Sequence, residues 1–234
     1  MVMNTSLPAA VLLDFDGTLV DTEPYWMQGE FDLLGSYGVP WDDERSQQLC
    51  GTSKEVSLEV LLGQMASHGV DTSKIDSEEF YEALSQLVID RIERLGAPWL
   101  PGVPALLADL KAHAMPCAVV SSSPAGVLEA GLEKFPDGVI SIVVNGQSVA
   151  NSKPSPDGYL LAAQLLGVDA RDCVVLEDTV SGTAAGRASG AVVIAVPRLY
   201  ELPDEPGQVV VPNLEGFDVA KLRELFAQVR GTTS

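Results

Sequence analysis

Five short apolar runs constrain this chain more than any other feature: Ala9 to Leu13, Cys117 to Val120, Val139 to Val144, Cys173 to Leu176 and Val192 to Val196. Each is short and, Ser141 apart, uniformly apolar, which suits neither a half-exposed strand nor a free-standing helix. From Pro104 onward they alternate with segments of helical periodicity. Strands that are apolar on every residue must be covered on both faces, and a parallel sheet wrapped by helices does this. Helices are expected from Ala105 to Lys111, from Ser123-Pro124 (Ser123 as N-cap), from Ser155-Pro156-Asp157 to Gly167, and from Asp218 to Val229. Val209 to Val211 is expected as an edge strand, stopped by Pro212.

The pattern between Trp26 and Leu95 is different. Phe31, Leu34 and Tyr37 form one helical stripe, Val56, Val60, Leu61 and Met65 a second, and Phe80, Leu84, Leu87, Val88 and Leu95 a third. Asp76-Ser77-Glu78-Glu79 has the form of a helix cap, and Gly38 and Gly69 the form of helix stops. The aromatic residues Trp26, Phe31, Tyr37, Phe80 and Tyr81 are expected in a core. Proline- and glycine-bearing breaks at Thr22-Glu23-Pro24 and from Ala97 to Pro104 bound this segment. The expected organisation is therefore an all-helical domain, residues 23–97, inserted into an α/β domain of residues 1–22 and 98–234, with the two connections as hinges.

Charge narrows the partners. The 234 residues carry a formal net charge of -19. A surface this acidic repels nucleic-acid backbones and anionic lipid, so neither is an expected partner. An anionic substrate would need positive charge supplied locally, by a metal ion or placed lysines. Cys50, Cys117 and Cys173 are far apart and suggest neither disulfides nor zinc, which fits a reducing cytoplasm. Met1 to Ala10 lacks the basic start and apolar run of a leader. No stretch is long enough to span a bilayer, and a monomer is the default. The histidines are His68 and His113 only, which leaves little material for a Ser-His-Asp hydrolase.

The chemistry is expected at the carboxyl ends of the strands, where open parallel sheets bind ligands. The first run ends in Asp14-Phe15-Asp16-Gly17, the second in Ser121-Ser122-Ser123. The third leads to Lys153-Pro154-Ser155-Pro156, and the fourth ends in Glu177-Asp178. Each has an ordinary reading alone: an Asp-Gly turn, a helix cap, a solvated lysine, an acidic helix start. Together they suit phosphoryl transfer through an aspartate. Asp14 would attack phosphorus, and Asp16 would protonate the leaving oxygen and then take a proton from water. Lys153 and Ser121, with the backbone N–H groups that follow it, would bind the phosphate. Magnesium would be held by Asp14, the carbonyl of Asp16, and Asp178 with Glu177 nearby.

The stretches D-F-D-G-T-L-V-D-T-E, V-V-S-S-S-P, S-K-P-S-P-D and L-E-D-T-V-S-G, in that order, resemble the four motifs of the haloacid dehalogenase superfamily. Within it the chain is similar to β-phosphoglucomutase and to sugar phosphatases such as 2-deoxyglucose-6-phosphatase. The resemblance implies a Rossmann-like, doubly wound parallel sheet with an inserted α-helical cap. It implies Asp14 as nucleophile, Asp16 as general acid and base, Ser121, Ser122 and Lys153 at the phosphate, Thr18, in the turn of the first motif, as a further phosphate or substrate contact, and Glu177 and Asp178 at magnesium. It also makes Cys50-Gly51-Thr52-Ser53-Lys54 the cap loop that chooses substrate, with Lys54 and Glu23 as candidate substrate contacts. The mutase would have basic residues at the first and last positions of that loop and a histidine near Trp26; the chain has Cys50, Lys54 and Trp26 there. A phosphatase acting on a small phosphorylated metabolite, a sugar monophosphate above all, is thus favoured over a phosphosugar mutase. Asp16 disfavours C–X cleavage, whose leaving group needs no proton. A phosphonate hydrolase would need an imine-forming lysine, and nothing singles out Lys54 or Lys74 for that. A phospho-accepting receiver domain carries its acceptor later and lacks an insert of about seventy residues.

Overall fold

The computed structural model describes residues 7–232, so most of the stretch on which the leader expectation rests lies outside the described residues. Its contacts divide into two compact units. The α/β unit comprises the chain up to Asp21, Trp99–Ser123 and the chain from Lys134 onward; the helical unit comprises Thr22–Pro98 and Pro124–Glu133.

In the α/β unit the apolar runs become strands: β1 (Ala10–Leu13), β2 (Cys117–Val120), β3 (Ile142–Val144), β4 (Cys173–Glu177), β5 (Val192–Ala195) and β6 (Gln208–Val210). They form one parallel sheet in the order β3-β2-β1-β4-β5-β6. Every residue of β1, β2, β4 and β5 is buried, as uniform apolarity demands. One face carries Leu12, Val120, Val175 and Val193 against Tyr159, Ala162, Ala163 and Ala185. These belong to α7 (Asp157–Leu166) and α8 (Val180–Ala188). The other helices of this unit are α5 (Val103–Ala112), with Pro104 in its first turn, and α9 (Val219–Thr232), which packs on α5, β5 and β6. β3 is shorter than expected. The Val139 N–H turns back to the Pro136 carbonyl (3.2 Å), so the ladder begins only at Ile142. No helix among the described residues is long and apolar enough to cross a membrane.

The helical unit contains α1 (Glu23–Ser36), α2 (Asp43–Leu49), α3 (Lys54–Ser67), α4 (Ser77–Leu95) and α6 (Ala125–Leu132). Asp76 caps α4 by accepting from the N–H groups of Glu78 and Glu79. Leu34, Leu61, Met65, Phe80 and Leu84 form the core. Four residues of the expected stripes are instead exposed: Tyr37 (43%), Val56 (44%), Val60 (37%) and Leu95 (61%). The inclusion of α6 has no counterpart in the apolar periodicity. Its Val127 packs against Val88 and Ile92 of α4.

Glu30, on α1, is 4% exposed. Its Oε2 accepts from Trp41 Nε1 (3.0 Å) and Ser46 Oγ (2.6 Å), which ties α1 to the chain entering α2. Burial pushes its carboxyl up to about 7 against the partial relief of those donors. A carboxyl raised in the fold stabilises it below the unfolded value and loses that contribution as pH rises through the folded value. The stability of the native chain is therefore expected to fall between about pH 4.5 and about pH 7, by up to about 3 kcal/mol from this group. Glu30→Gln should flatten that part of the profile, which melting curves across the window will measure.

Candidate active site

In a sheet of this strand order the chain reverses its direction of travel between β1 and β4, and the crevice beyond their carboxyl ends is the natural site. Asp14 stands at that end of β1. Its N–H still donates to the Leu176 carbonyl (3.0 Å), so the ladder holds up to the residue that bears the acid. Phe15 turns away and is fully buried, 6.1 Å from Phe135 by ring centroids. That leaves Asp14 and Asp16 on the polar side. At Gly17, φ is +81°, and a Cβ there would strike the carboxylate of Asp178, so the turn requires glycine twice over.

Lys153 organises the acids. Its Nζ donates to Asp14 Oδ1 (2.6 Å), Glu177 Oε1 (2.6 Å) and the Val120 carbonyl (3.0 Å). Those three bonds use the full donor capacity of an ammonium. Burial by itself would lower the lysine's pKa; the charges of Asp14 and Glu177 overcome this and hold it well above its ordinary value. Glu177 is wholly buried. Besides Lys153 it accepts from Tyr159 Oη (2.9 Å), the N–H groups of Asp178 (2.9 Å) and Thr179 (3.1 Å), and Thr179 Oγ1 (3.1 Å). A Cβ at Gly182, in the first turn of α8, would overlap the Glu177 carboxylate, which explains the glycine of L-E-D-T-V-S-G. Thr18 is 1% exposed, and its hydroxyl donates to Asp178 Oδ1 (3.3 Å).

Asp14 is left electrostatically incomplete. Its Oδ2 is buried and has no hydrogen-bond partner. Asp14, Glu177 and Asp178 each offer an oxygen within 4.8 Å of the others'. Burial first, then the charge of Glu177, push the Asp14 carboxyl up to about 7, although Lys153 pulls it down. A buried carboxylate with one unpartnered oxygen, clustered with two other buried acids, fits a divalent cation.

Asp16 faces the second strand end. Its Oδ2 accepts from Ser121 Oγ (3.2 Å) and Ser123 Oγ (2.6 Å). Ser122, with Ser121, Gly146, Lys153 and Tyr159, lines a cavity of about 20 Å³, room for one water. Thus Asp14, Asp16, Thr18, Ser121, Ser122, Lys153, Glu177 and Asp178 gather at one edge of the sheet. Glu23 and Lys54 belong to the helical unit. Lys54 pairs there with Glu78 and lies 5.4 Å from the Tyr81 ring centroid. Ser123 was expected as a helix cap, but α6 begins after Pro124 without any side-chain cap, and the Ser123 hydroxyl goes to Asp16 instead. Sequence reasoning passed over Tyr159 and Thr179. Thr179, inside the fourth motif, carried a signal; Tyr159 carried none beyond being an aromatic on a helix.

The sequence profile of the haloacid dehalogenase-like hydrolases matches residues 11–196. The chain belongs to that family. Hexitol phosphatase B of Escherichia coli K12 is 31% identical to this hydrolase over 223 residues, which cover 94% of this chain and 95% of the relative. The bifunctional riboflavin kinase/FMN phosphatase of Arabidopsis thaliana is 35% identical over 197 residues, 82% of this chain; the match spans about half of that protein, 49%. The crystal structure of β-phosphoglucomutase from Clostridium difficile aligns with a TM-score of 0.77 at 21% identity, over 95% of this chain and 99% of the other, a likeness of fold. The family and the α/β fold expected from the four motifs are therefore those of this hydrolase.

Proposed function

We propose that this hydrolase is a magnesium-dependent phosphatase of small phosphorylated metabolites, sugar or polyol monophosphates above all, working through an aspartyl phosphate on Asp14. The observation that carries the reading is the unpartnered Oδ2 of Asp14, buried beside Glu177, Asp178 and Lys153. A carboxylate so placed cannot be anionic and reactive without more positive charge beside it. Asp14, the main-chain carbonyl of Asp16, and Asp178 would hold magnesium, with Glu177 adjoining. When bound, the ion neutralises charge on the nucleophile and the phosphate.

The steps follow from the chain's own groups. A carboxylate oxygen of Asp14 bonds to phosphorus as the bond from phosphorus to the sugar oxygen breaks. Asp16 gives its proton to that oxygen, and the alcohol leaves. Water then attacks phosphorus, Asp16 takes its proton, and phosphate departs with the Asp14 carboxylate restored. Lys153, with its donors already engaged, acts on the phosphate through its charge while keeping Asp14 aimed. Ser121 and the N–H groups after it receive the phosphate oxygens. Thr18 serves Asp178 rather than substrate, and Glu177 serves Lys153. The helical insert, residues 23–97, is the cap that chooses substrate, with Glu23 and Lys54 among its contacts; Lys54 must exchange Glu78 to take part. Hexitol phosphatase B, by its name a polyol-phosphate enzyme, supports this substrate class.

The test is phosphate release from a panel of sugar, polyol and nucleotide monophosphates with and without magnesium. The panel includes β-glucose 1-phosphate with its bisphosphate, where isomerisation instead of phosphate release would indicate the mutase. Magnesium-dependent release with alkyl phosphates is expected. Undiminished release after chelation would exclude the metal, and isomerised product alone would exclude the phosphatase.

A further inference from the structure

We infer that Ser123 is the positioning residue of Asp16, the hydroxyl that holds the proton donor in place while Ser121 is occupied by the phosphate. The inference rests on the reading of Asp16 as general acid and extends it to a residue outside the four-motif roles. Both serine hydroxyls converge on one atom, Asp16 Oδ2, but the two bonds are unequal: 2.6 Å from Ser123 and 3.2 Å from Ser121. Ser121 also accepts from the Ser123 N–H (2.9 Å). If Ser121 turns its hydroxyl to a phosphate oxygen, it gives up its longer bond to Asp16, and the shorter one from Ser123 remains.

Ser123 is built for that duty. It is 8% exposed. Its N–H is anchored on Ser121 Oγ, and its carbonyl accepts from the Gly146 N–H (3.3 Å). With both main-chain groups engaged and Pro124 restricting the residue before it, the direction of the side chain is set by the backbone. The ordinary use of a serine before a helix, capping its first turn, is absent here, since no N–H of α6 is bonded to a side-chain cap. A carboxyl that must present its proton to a leaving oxygen tolerates little misplacement.

The test uses leaving groups. An alkyl leaving oxygen needs the proton of Asp16; p-nitrophenolate leaves with little help. Ser123→Ala is expected to lower kcat roughly tenfold on the best alkyl phosphate of the panel above. The loss on p-nitrophenyl phosphate should be several-fold smaller, and KM for both should hold within about twofold. Ser123→Thr, which keeps the hydroxyl, should recover most of the alkyl-phosphate rate. Equal losses on the two substrates, or no loss on either, would overturn the inference. Asp16→Asn is measured alongside. If its losses are also equal on the two substrates, the assignment of Asp16 as proton donor falls. If they favour p-nitrophenyl phosphate while those of Ser123→Ala do not, only the role of Ser123 falls.

Discussion

Asp14→Asn is expected to reduce phosphate release by at least roughly a thousandfold, because on the proposed mechanism a neutral carboxamide cannot form the aspartyl phosphate. The substitution is nearly isosteric, and the amide oxygen can still accept from Lys153, so the fold should persist. Stability offers an independent reading. Burial and the neighbouring Glu177 raise the Asp14 carboxyl from 3.8 to about 7. A group raised in this sense lends stability below its unfolded value and loses it as pH rises through the folded one. At about pH 8 without divalent cations, the neutral asparagine escapes that penalty, and the variant should melt no lower than the native chain. Added magnesium should raise the melting temperature of the native chain, since a ligand of the folded state stabilises it by mass action. It should do little for the variant. Turnover at the native rate in Asp14→Asn would end the nucleophile assignment, whatever the melting curves show.

Lys153→Met should also be damaging, for a different reason. The ammonium bridges Asp14 and Glu177, with side-chain exposures of 11%, 9% and 1% for the three groups. Removing it strands two buried carboxylates, and breaking a buried pair from one side costs about 3–5 kcal/mol. Activity should fall by roughly a hundredfold or more, because the charge that steadies Asp14 and, on the proposed mechanism, the phosphate is lost. The pH dependence has a definite sign. Without the lysine, Asp14 loses the one charge that pulls its carboxyl down. The penalty is then largest above that raised value and shrinks as pH falls and the carboxyl takes up its proton. Denaturant midpoints at about pH 8 and about pH 5 will therefore differ more for the variant than for the native chain. Equal stability of variant and native chain at about pH 8 would show that Lys153 does not neutralise the acids.

The architecture was legible because its signals are local. A run such as Cys173 to Leu176, apolar on every residue, suits a doubly covered strand; Gly167 marks a helix end by its left-handed backbone, and Asp76 a helix start by its carboxylate, which accepts from the first-turn N–H groups. The gathering of the candidate residues was legible for the same reason: Asp14, Ser121, Lys153 and Asp178 each follow a strand or lead into a helix, and parallel strands deliver their carboxyl ends to one edge. What those residues touch was not. Ser123 bonds across 107 positions to Asp16, Lys153 across 139 to Asp14, and Thr18 across 160 to Asp178. The sequence alone therefore determined the strands, the helices and the residue types at the strand ends. Tertiary structure decided that Ser123 turns to an acid instead of capping α6, that Tyr159 and Thr179 close around Glu177, and that α6 packs on α4. The physical reason is range: periodicity and capping act within a turn or two of the chain, whereas a hydrogen bond is settled by which groups the packing of distant segments brings within 3 Å.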